Sequence, residues 1–469
     1  MLNIPRIVIA GTHSGVGKTT VATGLMTALT AAGLIVQGFK VGPDYIDPSY
    51  HTKATGRPSR NLDTWLLGEE GVREIFQRNV KGADIAVIEG VMGLFDGFGS
   101  TSELGSTAHV AKVLQAPVII IVNAKSMSRS IAALLKGYCD LDPEVQVKGC
   151  ILNRVSSQRH LEILQGAIHK YNPLEVVGSI AADAIVPWPE RHLGLVPMSE
   201  QAATEHIFQE LGRLVAEKLN LTLIKEIANS APTLQKVPQE IFKSTINSGV
   251  SKHKVKIAYA WDEAFSFYYQ DGLDLLTHLG VELIKVSPLN DAQLPADISG
   301  LIIGGGFPEL FLAKLSANHS FMASLRQFHQ TGLPIYAECG GLMYLTETIE
   351  SFNQETFPMV GLIPGKCRME KSLAALGYYQ GIALQDNLLC PKATQVKGHE
   401  FHYSKLEGIP QDFPWAFGLQ KGNTTPLRQE GFARDNVLAA YLHMHFAGLP
   451  KLAEAFIQRC VAYAARQNI

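Results

Sequence analysis

Short apolar runs alternate with longer amphipathic stretches along the first half of the chain. The runs at residues 6–10, 35–40, 85–89, 118–122 and 148–153 are rich in branched side chains, which is typical of buried strands. The stretches between them, such as residues 19–32 and 128–138, have the apolar spacing of helices. This alternation predicts βαβ units, and therefore an α/β fold with a parallel sheet.

A change of composition near residue 230 separates this half from a second one. Small and polar side chains dominate residues 226–253, as in a linker. Apolar runs then resume at residues 254–260, 281–286, 300–303 and 333–337. We therefore expect two α/β domains, at residues 1–230 and 254–469, joined by a linker at 231–253.

The composition excludes several classes of protein. Hydrophobic residues make up 46% of the 469 positions, which is too many for a disordered chain. The net charge of −2 lacks the basic excess of a nucleic-acid-binding protein. The apolar run at residues 116–122 is far shorter than the roughly 20 residues of a membrane span, and the first residues lack a signal-peptide pattern. We expect a cytoplasmic protein that binds neither nucleic acid nor membranes.

A glycine-rich turn follows the first predicted strand and leads into a helix. In such a turn the backbone amides surround phosphate groups, the lysine adds a positive charge, and the hydroxyl after it can bind Mg²⁺. The strict motif has glycine where this chain has Thr12, and the form seen here is similar to that of dethiobiotin-synthetase-like ATPases. The predicted ATP-binding residues of this turn are Gly11, Thr12, Gly15, Gly17, Lys18, Thr19 and Thr20.

Acidic side chains follow the predicted strands that flank this turn. Glu89 ends one strand, Asp96 lies in the loop after it, and Asp44 and Asp47 follow the strand at 35–40. Carboxylate oxygens are ligands that Mg²⁺ prefers, so these four residues and Thr19 are the candidate metal ligands. Each aspartate taken singly is as well explained as the cap of a turn.

Two further residues stand at predicted strand ends. Lys40 is placed to stabilise a phosphoryl group during transfer, although a solvated lysine explains it equally well. Asn153 stands where this fold often carries an asparagine that reads the purine base. We include both among the candidate nucleotide-binding residues.

The second half carries a candidate nucleophile. The run Ala-Glu-Cys-Gly-Gly at residues 337–341 joins a predicted strand to a helix, and small residues suit the sharp turn of a nucleophile elbow. Cys339 then lies at a helix N-terminus, which favours the thiolate. The amide of Gly340 and the glycine turn at 304–306 are candidates for an oxyanion hole. The alternative is a buried core cysteine.

A thiolate nucleophile needs a base, and His443 is the candidate. In class I glutamine amidotransferases a glutamate follows that histidine two positions later, where this chain has His445. The third member of a catalytic triad is therefore missing or supplied from elsewhere. Glu400 is one candidate, although a structural role explains it as well.

Three longer runs carry a specific resemblance. Residues 39–48, 56–63 and 89–97, together with the Cys339 elbow and the Tyr-Leu-His-x-His segment at 441–445, resemble the cobyrinate a,c-diamide synthase family over essentially the whole chain. The resemblance implies an N-terminal P-loop ATPase domain and a C-terminal class I amidotransferase-like domain. It also implies Cys339 as nucleophile and His443 as its activating histidine. Arg57, Arg60 and Asn61 become candidates to receive substrate carboxylates.

The same resemblance implies a reaction. It is the ATP- and Mg²⁺-dependent amidation of the a and c carboxylates of a corrin, with glutamine or ammonia as nitrogen donor, in cobalamin biosynthesis. Hydrogenobyrinate or a nickel sirohydrochlorin stays open as the acceptor, and a homodimer as the assembly. A MinD/ParA-like ATPase switch explains residues 11–20 but not Cys339. An inactive amidotransferase scaffold does not explain the intact elbow.

Overall fold

The chain forms two compact units, Met1–Glu240 and Ile241–Ile469. The computed structural model describes residues 1–172, 174–184, 190–191, 194–195, 205–243, 255–422 and 426–467. The first residues of the predicted linker pack on the first unit, since Leu2 and Leu234 exchange backbone hydrogen bonds of 2.8 and 2.9 Å. Residues 244–253 of that linker lie outside the described residues.

A seven-stranded sheet forms the centre of the first unit. Its strand order is β3-β2-β4-β1-β5-β6-β7, and every pair of neighbours is parallel. The parallel α/β fold expected for this half is therefore confirmed. The strands are β1 Arg6–Gly11, β2 Val36–Val41, β3 Arg60–Leu62, β4 Ile85–Glu89, β5 Val118–Asn123, β6 Val147–Val155 and β7 Glu175–Ala181, followed by a short antiparallel pair, β8 Glu190–Arg191 and β9 Gly194–Leu195.

Helices connect these strands, as parallel pairing requires. The strands β1, β2 and β4 are buried along their whole length, which fits their apolar sequences. Most candidate residues of the ATP site lie at or just after the carboxyl ends of these strands, where ligands bind in such sheets. The helices are α1 Lys18–Ala31, α2 Asp47–Thr55, α3 Thr64–Asn79, α4 Thr107–Val113, α5 Ser130–Asp140, α6 Gln158–Tyr171, α7 Glu205–Lys218 and α8 Leu221–Asn229.

The second unit contains a nine-stranded sheet of order β11-β10-β12-β13-β22-β21-β20-β17-β18. The first five strands are parallel to one another and the remainder are antiparallel. The strands of this sheet are β10 Val255–Ala260, β11 Val281–Val286, β12 Gly300–Ile303, β13 Ile335–Glu338, β17 Ala375–Ala383, β18 Gln395–His402, β20 Trp415–Gln420, β21 Arg428–Arg434 and β22 Val437–Ala440.

A smaller four-stranded sheet and five α-helices complete the described part of this unit. The sheet has the order β15-β14-β16-β19. Its strands are β14 Thr346–Glu350, β15 Thr356–Pro358, β16 Ile363–Met369 and β19 Ser404–Glu407. The helices are α9 Gln270–His278, α10 Leu312–Ala317, α11 His319–Gln330, α12 Gly340–Leu345 and α13 Pro450–Gln467.

The strands after residue 345 have no counterpart among the strands expected from sequence. Strand β16 alternates buried and half-buried side chains, and most of β17 is only partly buried. Such strands show no continuous apolar run, unlike the fully buried parallel ones. In the described residues, no helix has both the length and the apolarity needed to cross a membrane.

Candidate active sites

The glycine-rich turn of the first unit joins β1 to α1. Gly11 ends β1, and Gly17 caps α1 with φ of 100°, a backbone conformation that favours glycine. A Cβ atom on Gly17 would lie 2.7 Å from Nδ2 of Asn153. That Nδ2 donates a hydrogen bond of 2.8 Å to the carbonyl of Val16. Asn153 therefore holds the turn in place, and its role in reading the base stays a prediction.

The ammonium of Lys18 is held beside this turn by backbone oxygens. Its Nζ donates to the carbonyl of Met92 at 2.6 Å and to that of His13 at 3.2 Å. Burial, followed by the charge of Lys40, lowers the pKa of Lys18 to about 8. Thr12 lies in the same turn, with its carbonyl accepting from the Tyr138 hydroxyl at 2.6 Å, and Thr20 lies in the first turn of α1.

A buried lysine bridges two of the candidate carboxylates. Nζ of Lys40 lies 2.8 Å from Oδ2 of Asp47 and 3.0 Å from Oε1 of Glu89. The same Nζ donates to the carbonyl of Gly90 at 2.8 Å. The sequence placed these three side chains at or after strand ends, and the structure brings Lys40 into direct contact with both carboxylates.

Burial and charge act against each other within this cluster. Burial lowers the pKa of Lys40, but the charges of Asp47 and Glu89 raise it above its usual value. Burial, then the charges of Asp44 and Glu89, raises the pKa of Asp47. Burial also opposes ionisation of Glu89, yet Lys40 and a hydrogen bond from His51 hold its pKa well below the usual range. Lys40 therefore stays charged and Glu89 stays ionised.

Both oxygens of Glu89 are engaged. The Thr19 hydroxyl donates to Oε1 at 2.7 Å, and Nε2 of His51 lies 2.6 Å from Oε2. His51 is not among the candidate residues expected from sequence. The available signal was its spacing from Asp47, because residues four apart in a helix share one face.

Asp44 and Asp96 shape loops of their own. Oδ1 of Asp44 accepts from the backbone amides of Ile46 and Asp47 at 2.7 and 2.8 Å. Oδ2 of Asp96 accepts from the amide of Gly93 at 2.8 Å. The contacts of Asp44 are those of a turn-capping aspartate, whereas Asp96 closes its loop back onto Gly93. A role as metal ligands stays a prediction for both. Among the described residues, no group of three or more His, Cys, Asp or Glu side chains could hold a metal ion alone.

The three residues suggested for substrate carboxylates bond to their own chain. Arg57 donates to Oε1 of Gln37 at 2.9 Å, and Arg60 donates to Oδ1 of Asn79 at 2.9 Å. Asn61 donates to the carbonyls of Gly42 and Asp44 at 2.8 and 2.7 Å. Asn61 thus supports the loop that carries Asp44, and all three substrate roles stay predictions.

In the second unit Cys339 forms a strained turn between β13 and α12. Its backbone has φ of 49° and ψ of −105°, which is rare for a residue with a side chain. Its amide donates to the carbonyl of Ala440 at 2.7 Å. A Cβ atom on Gly341 would lie 2.1 Å from the carbonyl oxygen of Ile303, so only glycine fits there. This geometry matches the elbow that the sequence predicts.

The glycine turn after β12 lies beside this elbow. A Cβ atom on Gly340 would lie 3.3 Å from the backbone nitrogen of Gly306. The two amide groups are therefore close together, next to Cys339. An oxyanion hole needs such a pair of donors.

His443 is buried between Cys339 and Glu338. Its Nδ1 lies 3.4 Å from Oε2 of Glu338. Burial lowers the pKa of His443, but the charge of Cys339, a hydrogen bond to its sulfur and Glu338 raise that pKa to about 10. His443 therefore keeps its proton at neutral pH, next to Cys339.

Glu338 is held rigidly and was not among the sequence candidates. Its Oε1 accepts from the amide of Met444 at 2.9 Å and from the hydroxyl of Tyr336. The available signal was its place directly before Cys339, at the end of β13. Because β13 and β22 are parallel neighbours, with Glu338 opposite Ala440, the residues that follow β22 come close to that carboxylate.

Glu400, the candidate for the third triad member, and His445, which stands where the usual glutamate would be, have other partners. Arg428 donates to both oxygens of Glu400 at 2.7 and 2.6 Å. The ring of His445 stacks on Tyr269 with 4.3 Å between centroids, and burial lowers the pKa of His445 to about 3. Glu338 therefore occupies the position that the sequence left open.

Comparison with known families identifies both units. Residues 7–196 match the model of the CobQ/CobB/MinD/ParA nucleotide binding domain, and residues 256–450 match that of the CobB/CobQ-like glutamine amidotransferase domain.

Curated relatives extend the match to nearly the full length. The cobyrinate a,c-diamide synthase of Dehalococcoides mccartyi (strain CBDB1) is 46% identical over 461 residues, which cover 97% of this chain and 98% of the relative. The enzymes of that name from Priestia megaterium and Methanosarcina barkeri (strain Fusaro / DSM 804) are 43% and 41% identical, over 97% of this chain and 97% and 96% of their own lengths. With its nucleotide-binding and glutamine amidotransferase domains, the chain belongs to the cobyrinate a,c-diamide synthase family.

Proposed function

We propose that this protein amidates the a and c side-chain carboxylates of cobyrinate, using ATP and glutamine or ammonia. The observation that carries the proposal is that one chain holds both a phosphate-binding turn, with Lys18, and a cysteine elbow in which His443 contacts Cys339 and Glu338. Relatives that bear the name of this activity support the acceptor.

The first unit activates the acceptor. A carboxylate is a poor electrophile, and transfer of the γ-phosphoryl group of ATP to one of its oxygens turns that oxygen into a good leaving group. When ATP is bound, Nζ of Lys18 donates to phosphate oxygens. These replace the carbonyls of Met92 and His13, to which it donates here. Lys40 lies deeper, with its charge kept by Asp47 and Glu89, and stabilises the phosphoryl group during transfer.

The residues near Glu89 suit Mg²⁺. The hydroxyl of Thr19 and the carboxylate of Glu89 are hard oxygen donors, with 2.7 Å between Oγ1 and Oε1, and the carboxyl group of Asp47 is close by, on the other side of Lys40. We propose that Thr19 and Glu89 hold the ion, and that Asp44, Asp47 and Asp96 are further candidates. When bound, the ion neutralises charge on the transferring phosphate.

The second unit supplies ammonia. The thiolate of Cys339 attacks the side-chain amide carbon of glutamine, and the amides of Gly340 and Gly306 stabilise the oxyanion. His443 donates its proton to the leaving nitrogen, which departs as ammonia and leaves a thioester. Water, deprotonated by His443, then releases glutamate and restores the thiolate. Glu338 orients the ring of His443 through Nδ1.

Amide formation completes the reaction. Ammonia attacks the acyl phosphate carbon, the bond to the phosphate oxygen breaks, and inorganic phosphate leaves. Each amide thus consumes one ATP and one glutamine. The match to an amidotransferase family favours this account over the MinD/ParA-like switch.

An assay with purified protein tests the proposal. ATP, glutamine and cobyrinate should give a product with two amides, detected by mass spectrometry, with one ADP per amide. Hydrogenobyrinate and a nickel sirohydrochlorin, offered in parallel, should react much more slowly. Faster reaction of either would reassign the acceptor, and no amidation of any of them would contradict the proposed function. We also propose a cytoplasmic location and a homodimer, which cell fractionation and light scattering would test.

A further inference from the structure

Helix α2 places two side chains on the Lys40–Glu89 pair. Asp47, its first residue, contacts Nζ of Lys40 at 2.8 Å. His51, four residues later on the same face, places Nε2 at 2.6 Å from Oε2 of Glu89. One helix therefore restrains both Lys40 and Glu89. No step of the proposed function involves His51.

The hydrogen-bond pattern fixes the direction of this contact. An ionised carboxylate only accepts hydrogen bonds, so Nε2 of His51 carries the proton. On the other side of the ring, Nδ1 lies 3.3 Å from Oγ of Ser59. The same Oγ lies 3.1 Å from the carbonyl oxygen of Gly38. The ring is fully buried, so these protein groups define its orientation.

The position of the contact indicates what it does. Oε2 of Glu89 is bonded to His51, whereas Oε1 is the oxygen that meets Thr19 and Lys40. Without a partner on Oε2 the carboxylate could rotate and turn Oε1 away from Thr19. We infer that His51 is a positioning residue, which holds the Glu89 carboxylate so that Oε1 faces Thr19 and the site of the metal ion.

The inference rests on the proposed role of Glu89 in binding Mg²⁺. Removing a group that orients a metal ligand typically weakens metal binding or activity by about 10- to 100-fold. A merely structural histidine would instead affect folding, and would not distinguish ATP from Mg·ATP.

Two substitutions separate these roles. In His51→Gln the amide nitrogen reaches about as far as Nε2 and can still donate to Glu89. In His51→Asn the amide nitrogen reaches only about as far as Nδ1. The matched control is His109→Asn, because His109 is also buried in the first unit and also contacts a glutamate, Glu69, at 3.3 Å.

The experiment is calorimetric titration of the full chain with ATP, at several Mg²⁺ concentrations and without Mg²⁺, in the absence of glutamine and acceptor. We expect His51→Asn to weaken Mg²⁺-dependent ATP binding by about 10- to 100-fold. His51→Gln and the control should stay close to the wild type, and Mg²⁺-free ATP binding should be the same in all four proteins.

Other outcomes overturn the inference. These are equal losses in His51→Gln and His51→Asn, no loss in either, or a loss of the same size without Mg²⁺. If His51→Asn does not fold, Ser59→Ala replaces it, because it frees the ring without removing it. Weaker Mg²⁺-dependent binding in Ser59→Ala supports the inference, and unchanged binding overturns it. The titration contains no acceptor, so it does not depend on the amidation assay. If the wild type binds Mg·ATP in the titration but amidates no acceptor in that assay, the proposed function is contradicted and the role of His51 is not.

Discussion

Oε2 of Glu338 lies 3.4 Å from Nδ1 of His443, so the residue directly before the nucleophile orients the histidine that activates it. In a triad of the usual class I order, that carboxylate would follow the histidine by two positions, where this chain has His445 stacked on Tyr269. The contact depends on β13 and β22 being parallel neighbours. The end of β13 thus supplies the carboxylate of Glu338 and the nucleophile Cys339, and the segment after β22 supplies His443.

Replacing that carboxylate tests its role. We expect Glu338→Gln to reduce kcat/KM for glutamine hydrolysis by about a hundredfold or more, because an amide cannot stabilise the imidazolium or fix the ring in the same tautomer. Ammonia-dependent amidation should persist. The matched control is Glu400→Gln, since Glu400 is also a buried glutamate but is bonded to Arg428. A larger loss of glutaminase activity in Glu400→Gln than in Glu338→Gln would transfer the triad role to Glu400.

Removing the nucleophile should separate the two nitrogen sources. Cys339→Ala is expected to abolish glutamine-dependent amidation and to leave ammonia-dependent amidation in place, because ammonia enters after the thioester step. Cys390→Ala is the control, since Cys390 is buried but lies beside Asn387, with 3.6 Å between Sγ and Nδ2. Amidation rates with each donor provide the measurement. Loss of both activities in a folded Cys339→Ala protein would mean that the cysteine acts beyond glutamine hydrolysis.

Lys18 is expected to matter for both nitrogen sources. In Lys18→Ala the positive charge beside the phosphates is gone, so ATP binding and both amidation activities should fall to background. Lys53→Ala is the control, because Lys53 forms an exposed ion pair of 3.0 Å with Glu205, and such pairs contribute about 0–1 kcal/mol. Appreciable turnover in Lys18→Ala would argue against the phosphate-binding role.

Glu430 should make the stability of the second unit depend on pH. Burial, then the charge of Glu400, raises the pKa of Glu430 from 4.5 to about 8, although nearby Arg428 opposes this. Between those values the folded protein keeps a proton that the unfolded chain has released. Stability therefore falls as pH rises through this window, by at most about 1.4 kcal/mol per pH unit.

Glu430→Gln, which is neutral at every pH, should remove that slope. Urea unfolding measured from about pH 5 to about pH 8 compares the variant with the wild type. Parallel pH profiles for the two proteins would show that Glu430 titrates in the same range when folded and unfolded.

The elements that could be predicted from sequence carry their signal in consecutive residues. The phosphate-binding turn, the cysteine elbow and most of the buried parallel strands each lie within a short run, because glycine, a nucleophile or a continuous apolar stretch must stand at fixed local positions. The exceptions are β3 and β22, which are buried and parallel but were not expected from sequence. Strand β17 is only partly buried, so its sequence has no such run.

The contacts of His51 and Glu338 could not be predicted in this way. His51 meets Glu89, 38 residues further along the chain, only because α2 packs on β2 and β2 lies next to β4 in the sheet. Glu338 meets His443 only because β22 lies next to β13. Asp44 is the opposite case, because its contacts are local. Its sequence context predicts a turn cap, and its Oδ1 accepts from the nearby amides of Ile46 and Asp47.

Whether amidation passes through an acyl phosphate is tested by following oxygen from the acceptor carboxylate. Cobyrinate with heavy oxygen in its carboxylates is incubated with the protein, ATP and glutamine, and the released phosphate is analysed by mass spectrometry. Amidation through an acyl phosphate predicts one heavy oxygen in the phosphate for each amide formed. Diamide formed with unlabelled phosphate, or phosphate released with no amide formed, would contradict the account.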